Sequence, residues 1–125
     1  MACKILIVDD ERDFLDTWKR VVNRLGYVCL TAGNVASALR RIEAERPDLV
    51  ITDLHFPVGN GFEVMRHVQA KSPQTRVIIV TAYHTPAIQE AAATGAVDYL
   101  PKPFSVAALT ASIIRALASP KPARA

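Results

Sequence analysis

The sequence predicts a doubly wound α/β fold: a five-stranded parallel sheet with helices on both faces. Three observations carry this expectation. Short apolar runs alternate five times with stretches of helical period. Turn and capping residues sit at the junctions between them. The runs also end on residues that can do chemistry. Asp9 and Asp10 follow Lys4-Ile5-Leu6-Ile7-Val8, and Asp53 follows Leu49-Val50-Ile51-Thr52. Thr81 follows Val77-Ile78-Ile79-Val80, and Val97-Asp98-Tyr99-Leu100 stops just short of Lys102. In a parallel sheet joined by helical, right-handed crossovers, the carboxyl ends of the strands share the edge where ligands bind.

The elements follow in order. Phe14, Leu15, Trp18, Val21, Val22 and Leu25 recur at helical spacing after the first strand, and Gly26 stops that helix. Tyr27–Thr31 reads as the second strand. Asn34 then caps a helix carrying Val35, Leu39 and Ile42, which Pro47 ends before the strand leading to Asp53. Leu54–Gly59 reads as a loop, and Asn60 with Glu63 forms a capping-box start to a third helix striped by Val64, Met65 and Val68. Arg76–Thr81 is the fourth strand, and Thr85-Pro86 opens a helix. This fourth helix is weak, with Ile88, the run Ala91-Ala92-Ala93 and Gly95 offering little apolar surface. The last helix starts near Ser105 and is strong, with Val106, Leu109, Ile113, Ile114 and Leu117 on one stripe. Residues 1–118 are expected to form one domain, and 119–125 a tail or the start of a linker.

Composition narrows the function. A chain of 125 residues, half hydrophobic and 22% charged, suits one globular domain with a real core. Aliphatic runs reach four residues, far below a bilayer span, and Met-Ala-Cys-Lys enters a strand with no signal-peptide pattern. The expectation is a cytoplasmic protein without membrane contact. Cys3 and Cys29 lack metal-site spacing, and Cys29 is expected to be a small buried hydrophobe. The net charge is +3, but Lys19, Arg20, Arg24, Arg40, Arg41 and Arg46 are spread along helices, and aromatics make up only 6%. Solvated helix faces are expected rather than a nucleic-acid surface.

The strand ends would gather three carboxylates, a hydroxyl and an ammonium. Two adjacent acids after strand one oppose a phosphate-cradling glycine loop unless a cation intervenes, and Mg²⁺ takes one or two carboxylates together with phosphate oxygens. Capping of the first helix would account for Asp9 and Asp10, but not for Asp53. Asp53 is the candidate nucleophile toward phosphorus, with Lys102 as a second positive charge and Thr81 as a hydroxyl donor. The three carboxylates should raise one another's pKa, with Lys102 opposing.

Four motifs then carry a resemblance: Ile-Leu-Ile-Val-Asp9-Asp10-Glu11, Asp48-Leu-Val-Ile-Thr-Asp53-Leu-His-Phe-Pro57, Val80-Thr81-Ala82-Tyr83 and Asp98-Tyr99-Leu-Pro-Lys102-Pro103-Phe104. In this order, from about Lys4 to Leu117, the chain closely resembles the receiver domain of bacterial two-component response regulators, a (βα)5 flavodoxin-like sandwich. The resemblance implies that Asp53 accepts a phosphoryl group from a histidine-kinase phosphohistidine, or from a phosphotransfer protein, in a phosphorelay. It implies Mg²⁺, or Mn²⁺ in its place, held by Asp10, Asp53 and the backbone carbonyl of His55, with Asp9 acting mainly through water. Thr81, Lys102 and the Ala82 N–H would contact phosphoryl oxygens, and the Lys102–Pro103 bond would be cis. Thr81 and Tyr99 would form the switch, remodelling the face of helix four, strand five and helix five, through which a receiver homodimer would also form. Such a chain is a signalling domain that assists its own phosphorylation and dephosphorylation, not an enzyme.

Some residues depart from the commonest pattern. His55 stands where many relatives carry Asn or another small or polar residue, and with Tyr83 it is expected to govern water access to phospho-Asp53. Val58-Gly59-Asn60-Gly61 replaces a hydrophobic-Asp-Gly step, and the interval from Thr81 to Lys102 is about one residue tighter than usual. His67 and His84 have no ligand cluster and are expected in solvent or loops. A haloacid-dehalogenase-type phosphatase would need a second Asp where His55 stands, as well as a lid domain. A flavodoxin-like cofactor binder would need the loop that Asp9-Asp10 oppose. The sequence leaves open a stand-alone receiver or the regulatory part of a larger protein, since nothing past residue 118 could be an output domain.

Overall fold

A computed structural model describes residues 3–119. The elements alternate strictly: β1 (Lys4–Val8), α1 (Arg12–Arg24), β2 (Val28–Ala32), α2 (Val35–Glu45), β3 (Leu49–Asp53), α3 (Gly61–Lys71), β4 (Arg76–Thr81), α4 (Pro86–Ala92), β5 (Asp98–Pro101) and α5 (Val106–Ala118). The strands form one sheet in the order β2-β1-β3-β4-β5, and every neighbouring pair is parallel. The expected doubly wound fold is present.

Strand alternation explains the two helical layers. Leu6, Val8, Val50, Val77 and Ile79 join a core with residues of α2, α3 and α4. Ile5, Ile7, Leu49, Ile51, Ile78 and Val80 project the other way and pack with α1 and α5. Because both faces are covered, the strands are continuous apolar runs rather than alternating ones.

Four of the helix starts follow their sequence signals. The side chains of Asn34, Asn60, Thr85 and Ser105 accept the N–H groups of Ser37, Glu63, Ile88 and Ala108 at 2.8, 3.1, 3.2 and 3.0 Å. The exception is α1, whose N-cap Glu11 makes no side-chain cap bond. It ends where expected, at Gly26, whose φ of 97° a side chain would resist.

Several expectations shift. β2 runs one residue later than Tyr27–Thr31, and β5 begins at Asp98 rather than Val97. The fourth helix, expected to be weak, is a short one over Pro86–Ala92, with Ala92 its buried residue. His84 is exposed, but His67 is neither a solvent nor a loop residue. It lies half-buried on α3, with Nε2 3.0 Å from Glu43 Oε2 on α2, a placement set by helix packing. The six basic residues spread along the helices are all exposed. Cys3 and Cys29 are free thiols, and burial pushes the Cys29 thiol up to about 11, against the opposing charge of Lys19. Among the described residues no helix is long and apolar enough to cross a membrane. Beyond Ser119, the tail expected over 119–125 lies outside the described residues.

Candidate functional site

Register assembles the site. β1 and β3 are neighbours with Val8 opposite Thr52, so Asp9 and Asp10 emerge beside Asp53. On the other side of β3, Asp53 stands opposite Val80, which places Thr81 next along the same edge. Thr81 in turn lies opposite Pro101, and the Lys102 N–H donates to the Thr81 carbonyl at 2.8 Å. Residues 93 positions apart in sequence thus meet: Lys102 Nζ donates to Asp9 Oδ2 at 2.7 Å and to Asp53 Oδ2 at 3.1 Å. The Lys102–Pro103 bond is cis, as the resemblance implied.

The three acids sit in different environments. Asp9 is fully buried, Asp53 half-buried and Asp10 exposed. One carboxylate oxygen from each lies within 4.8 Å of the others. Asp9 Oδ1 accepts the Glu11 N–H at 2.8 Å, and Asp53 Oδ1 accepts the Leu54 N–H at 2.7 Å. Each therefore has one oxygen held by backbone and one turned to Lys102. Burial raises the Asp9 carboxyl above its ordinary value, opposed by Lys102 and the Glu11 N–H, and the charge of Asp53 is the smallest contributor. Mutual repulsion was the expected cause, but desolvation is the larger one. Burial would lower the Lys102 ammonium, yet its bonds to Asp9 and the charges of both acids outweigh that and raise it.

Thr81 is fully buried, and its Oγ1 accepts the Tyr83 N–H at 3.0 Å. Ala82 is exposed and lines an open cleft of about 430 Å³ with Glu11, Phe14, Trp18, Lys102, Pro103 and Phe104. Exposed His55 meets Tyr83 edge-on, with ring centroids 4.8 Å apart. Tyr99 is half-buried on β5 against the α2-α3-α4 core, and its hydroxyl is buried without a hydrogen-bond partner among the described residues.

A hard divalent cation fits this donor set. Three converging carboxylates, one of them open to solvent, are oxygen ligands of the kind hard cations such as Mg²⁺ take, and among the described residues no thiol or imidazole joins the group.

Sequence reasoning missed three features. Phe14 and Trp18 read as core stripe, yet with Phe104 they form an aromatic cluster at the cleft, with Lys102 Nζ 4.2 Å from the Phe14 ring centroid. Gly61 packs against the Asp53 backbone, and its N–H donates to the Leu54 carbonyl at 2.8 Å. Asp98 is clamped to α5 by Ser112 Oγ at 2.7 Å and Arg115 Nη2 at 2.8 Å. For the clamp, the only sequence signal was an acid in a strand facing a serine and an arginine three apart in a helix.

The response regulator receiver domain family model matches residues 5–114. The chain is 38% identical over 104 residues to sporulation initiation phosphotransferase F of Bacillus subtilis, covering 82% of this chain and 84% of that one. It is 34% identical over 122 residues to the DNA-binding transcriptional regulator NtrC of Azospirillum brasilense, covering 97% of this chain but only 25% of that protein. The chain thus spans about a quarter of that relative's length. A CheY-like receiver domain protein from Methanospirillum hungatei superposes with a TM-score of 0.88 at 28% identity, covering 94% of each chain. A response regulator from Burkholderia pseudomallei, solved with a phosphorylated aspartic acid, a calcium ion and citrate, gives 0.83 at 30% identity, covering 94% of this chain and 67% of that one.

Proposed function

This chain belongs to the response regulator receiver domain family of two-component signalling, phosphorylated on aspartate, and from that premise we propose that Asp53 is its phosphoacceptor. The observation that carries the assignment is the Lys102 ammonium bridging Asp9 and Asp53 at the strand ends. Asp53 Oδ2 attacks the phosphorus of a phosphohistidine in line. The new O–P bond forms as the P–N bond breaks, and the electron pair leaves on the imidazole nitrogen, which then takes a proton. Lys102 shifts from the carboxylate to a phosphoryl oxygen, while the Thr81 hydroxyl and the Ala82 N–H donate to the others.

Asp10, Asp53 and the His55 carbonyl would hold Mg²⁺, or Mn²⁺, with Asp9 acting through water. Bound there, the cation supplies the positive charge that lets a phosphoryl group approach three carboxylates. Lys102 already neutralises part of that charge, so the pocket is not defined by its acids alone.

Phosphorylation then favours one of two packings of Thr81 and Tyr99, altering the α4-β5-α5 face. The Tyr99 hydroxyl, without a hydrogen-bond partner among the described residues, supports this, since no hydroxyl bond has to break for the ring to change position. That face would receive a second receiver or an output partner, and a sensor histidine kinase or phosphotransfer protein would supply the phosphoryl group. The chain itself does not bind nucleic acid directly in this reading.

Intact mass after incubation with acetyl phosphate and Mg²⁺ tests the assignment. An acid-stable, base-labile phosphate adduct is expected, and it should be lost in Asp53→Ala. Equal labelling of the variant, or no adduct with any small donor or kinase, overturns it.

A further inference from the structure

We propose that Phe14 is a positioning residue for phosphoryl transfer, its ring face holding the Lys102 ammonium between Asp9 and Asp53. This rests on Asp53 being the acceptor. The ammonium has three N–H groups, and two are directed at carboxylates, 2.7 and 3.1 Å away. The Phe14 centroid lies 4.2 Å from Nζ, well inside the ~6 Å reach of a cation–π contact. The Lys102 side chain is only 15% exposed, so the ring replaces water that the ammonium has largely lost.

The ring is itself braced. Phe104 meets it edge-on at 89° and 6.1 Å, Trp18 lies 6.1 Å away on the same helix, and Trp18 and Phe104 are 4.9 Å apart. Phe104 follows Lys102 by two residues, so one loop carries both the ammonium and part of its brace. Packing alone does not explain the arrangement, because Phe14 is half-buried at an open cleft, where an aliphatic side chain would fill the same space.

An aromatic face suits the chemistry better than a polar partner. A third carboxylate would pin the ammonium and repel the incoming phosphoryl group. A ring attracts the charge without a hydrogen-bond direction, so Nζ can pass from Asp53 Oδ2 to a phosphoryl oxygen while remaining held.

The test replaces Phe14 with mono-, di- and trifluorinated phenylalanine, which nearly preserve shape while weakening the ring quadrupole, and with Phe14→Leu. Phosphorylation by acetyl phosphate with Mg²⁺ is followed by intact mass, which removes any effect on partner docking. Lys102 ammonium order is read by nitrogen-15 relaxation in metal-free protein. The expected result is a graded loss, about fivefold in rate for the trifluorinated ring and for Leu, with a more mobile ammonium and an unchanged Tm in the fluorinated series. Equal rates and equal ammonium order across the fluorinated series would overturn the inference while leaving Asp53 as acceptor. A wild-type protein that takes no phosphate overturns the functional assignment instead, and the relaxation data still decide whether the ring holds the ammonium.

Discussion

Replacing Gly61 with alanine should damage both stability and phosphoryl uptake, although position 61 makes no side-chain contact with the acids. A Cβ there would overlap the Asp53 carbonyl oxygen and stand 3.0 Å from Leu54 Cα and 3.2 Å from the Asp53 carbonyl carbon. All three obstacles are backbone, so no rotamer change relieves them. Either β3 or the start of α3 must move, stretching the 2.8 Å bond from Gly61 N–H to the Leu54 carbonyl. Overpacking of this kind costs ~1–3 kcal/mol, and contact with backbone places it toward the upper end. Alanine recovers at most ~1 kcal/mol of helix propensity. A net loss of about 2 kcal/mol is expected, lowering Tm by roughly 8 °C for a domain of this size. Since the crowded atoms include the carbonyl group of Asp53 itself, next to the Cα that bears its side chain, acetyl phosphate labelling should slow by about tenfold or more. Urea unfolding and the labelling rate check the two arms. Stability within ~0.5 kcal/mol of wild type together with an unchanged rate would refute the packing argument.

Three further outcomes are expected. Burial disfavours ionised Asp98, but bonds from Ser112, Arg115 and the Tyr99 N–H more than offset this and hold its carboxyl below the ordinary value. A depressed folded pKa means that stabilisation is complete above the unfolded value of 3.8 and is lost as pH falls through the folded one. Asp98→Asn should therefore cost ~1 kcal/mol at pH 7, discounted for the largely exposed Arg115, with the gap closing in acid. A gap constant between neutral and acid pH would contradict the clamp. The Cys29 thiol, 6% exposed and pushed up to about 11, should resist a disulfide reagent at pH 8 until the protein unfolds, so titration of native protein should find only Cys3. Prompt reaction of both thiols would exclude that environment. Finally, His55→Asn and Tyr83→Ala, by removing the two rings that meet at 4.8 Å, should speed loss of phosphate from Asp53 about threefold or more through easier water entry. Unchanged decay in both variants would leave the ring pair without that role.

Much of the fold was legible because it is local. A buried parallel strand is an apolar run, and a run stopped by an acid, a hydroxyl or a lysine marks both a strand end and a site residue. Asn34, Asn60, Thr85 and Ser105 cap where their sequence neighbours said they would, since a cap needs only the next three residues. The site acids were legible for the same reason. The cause of the Asp9 shift was not, because burial depends on what the rest of the chain places around it.

Tertiary structure alone decided which strand ends are neighbours. Hydrophobic period is the same in any strand order, and it is the order β2-β1-β3-β4-β5, with β1 beside β3, that puts Asp9 beside Asp53 and brings Lys102 across to both. It also decided what half-buried residues touch. Phe14 sits on a helical stripe whose spacing reports a face, not a partner, and the partner proved to be an ammonium, while His67, expected in solvent or a loop, packs beside Glu43. The acids and the lysine are therefore written in the sequence, but the ion-paired geometry that turns them into one site comes from packing across the sheet.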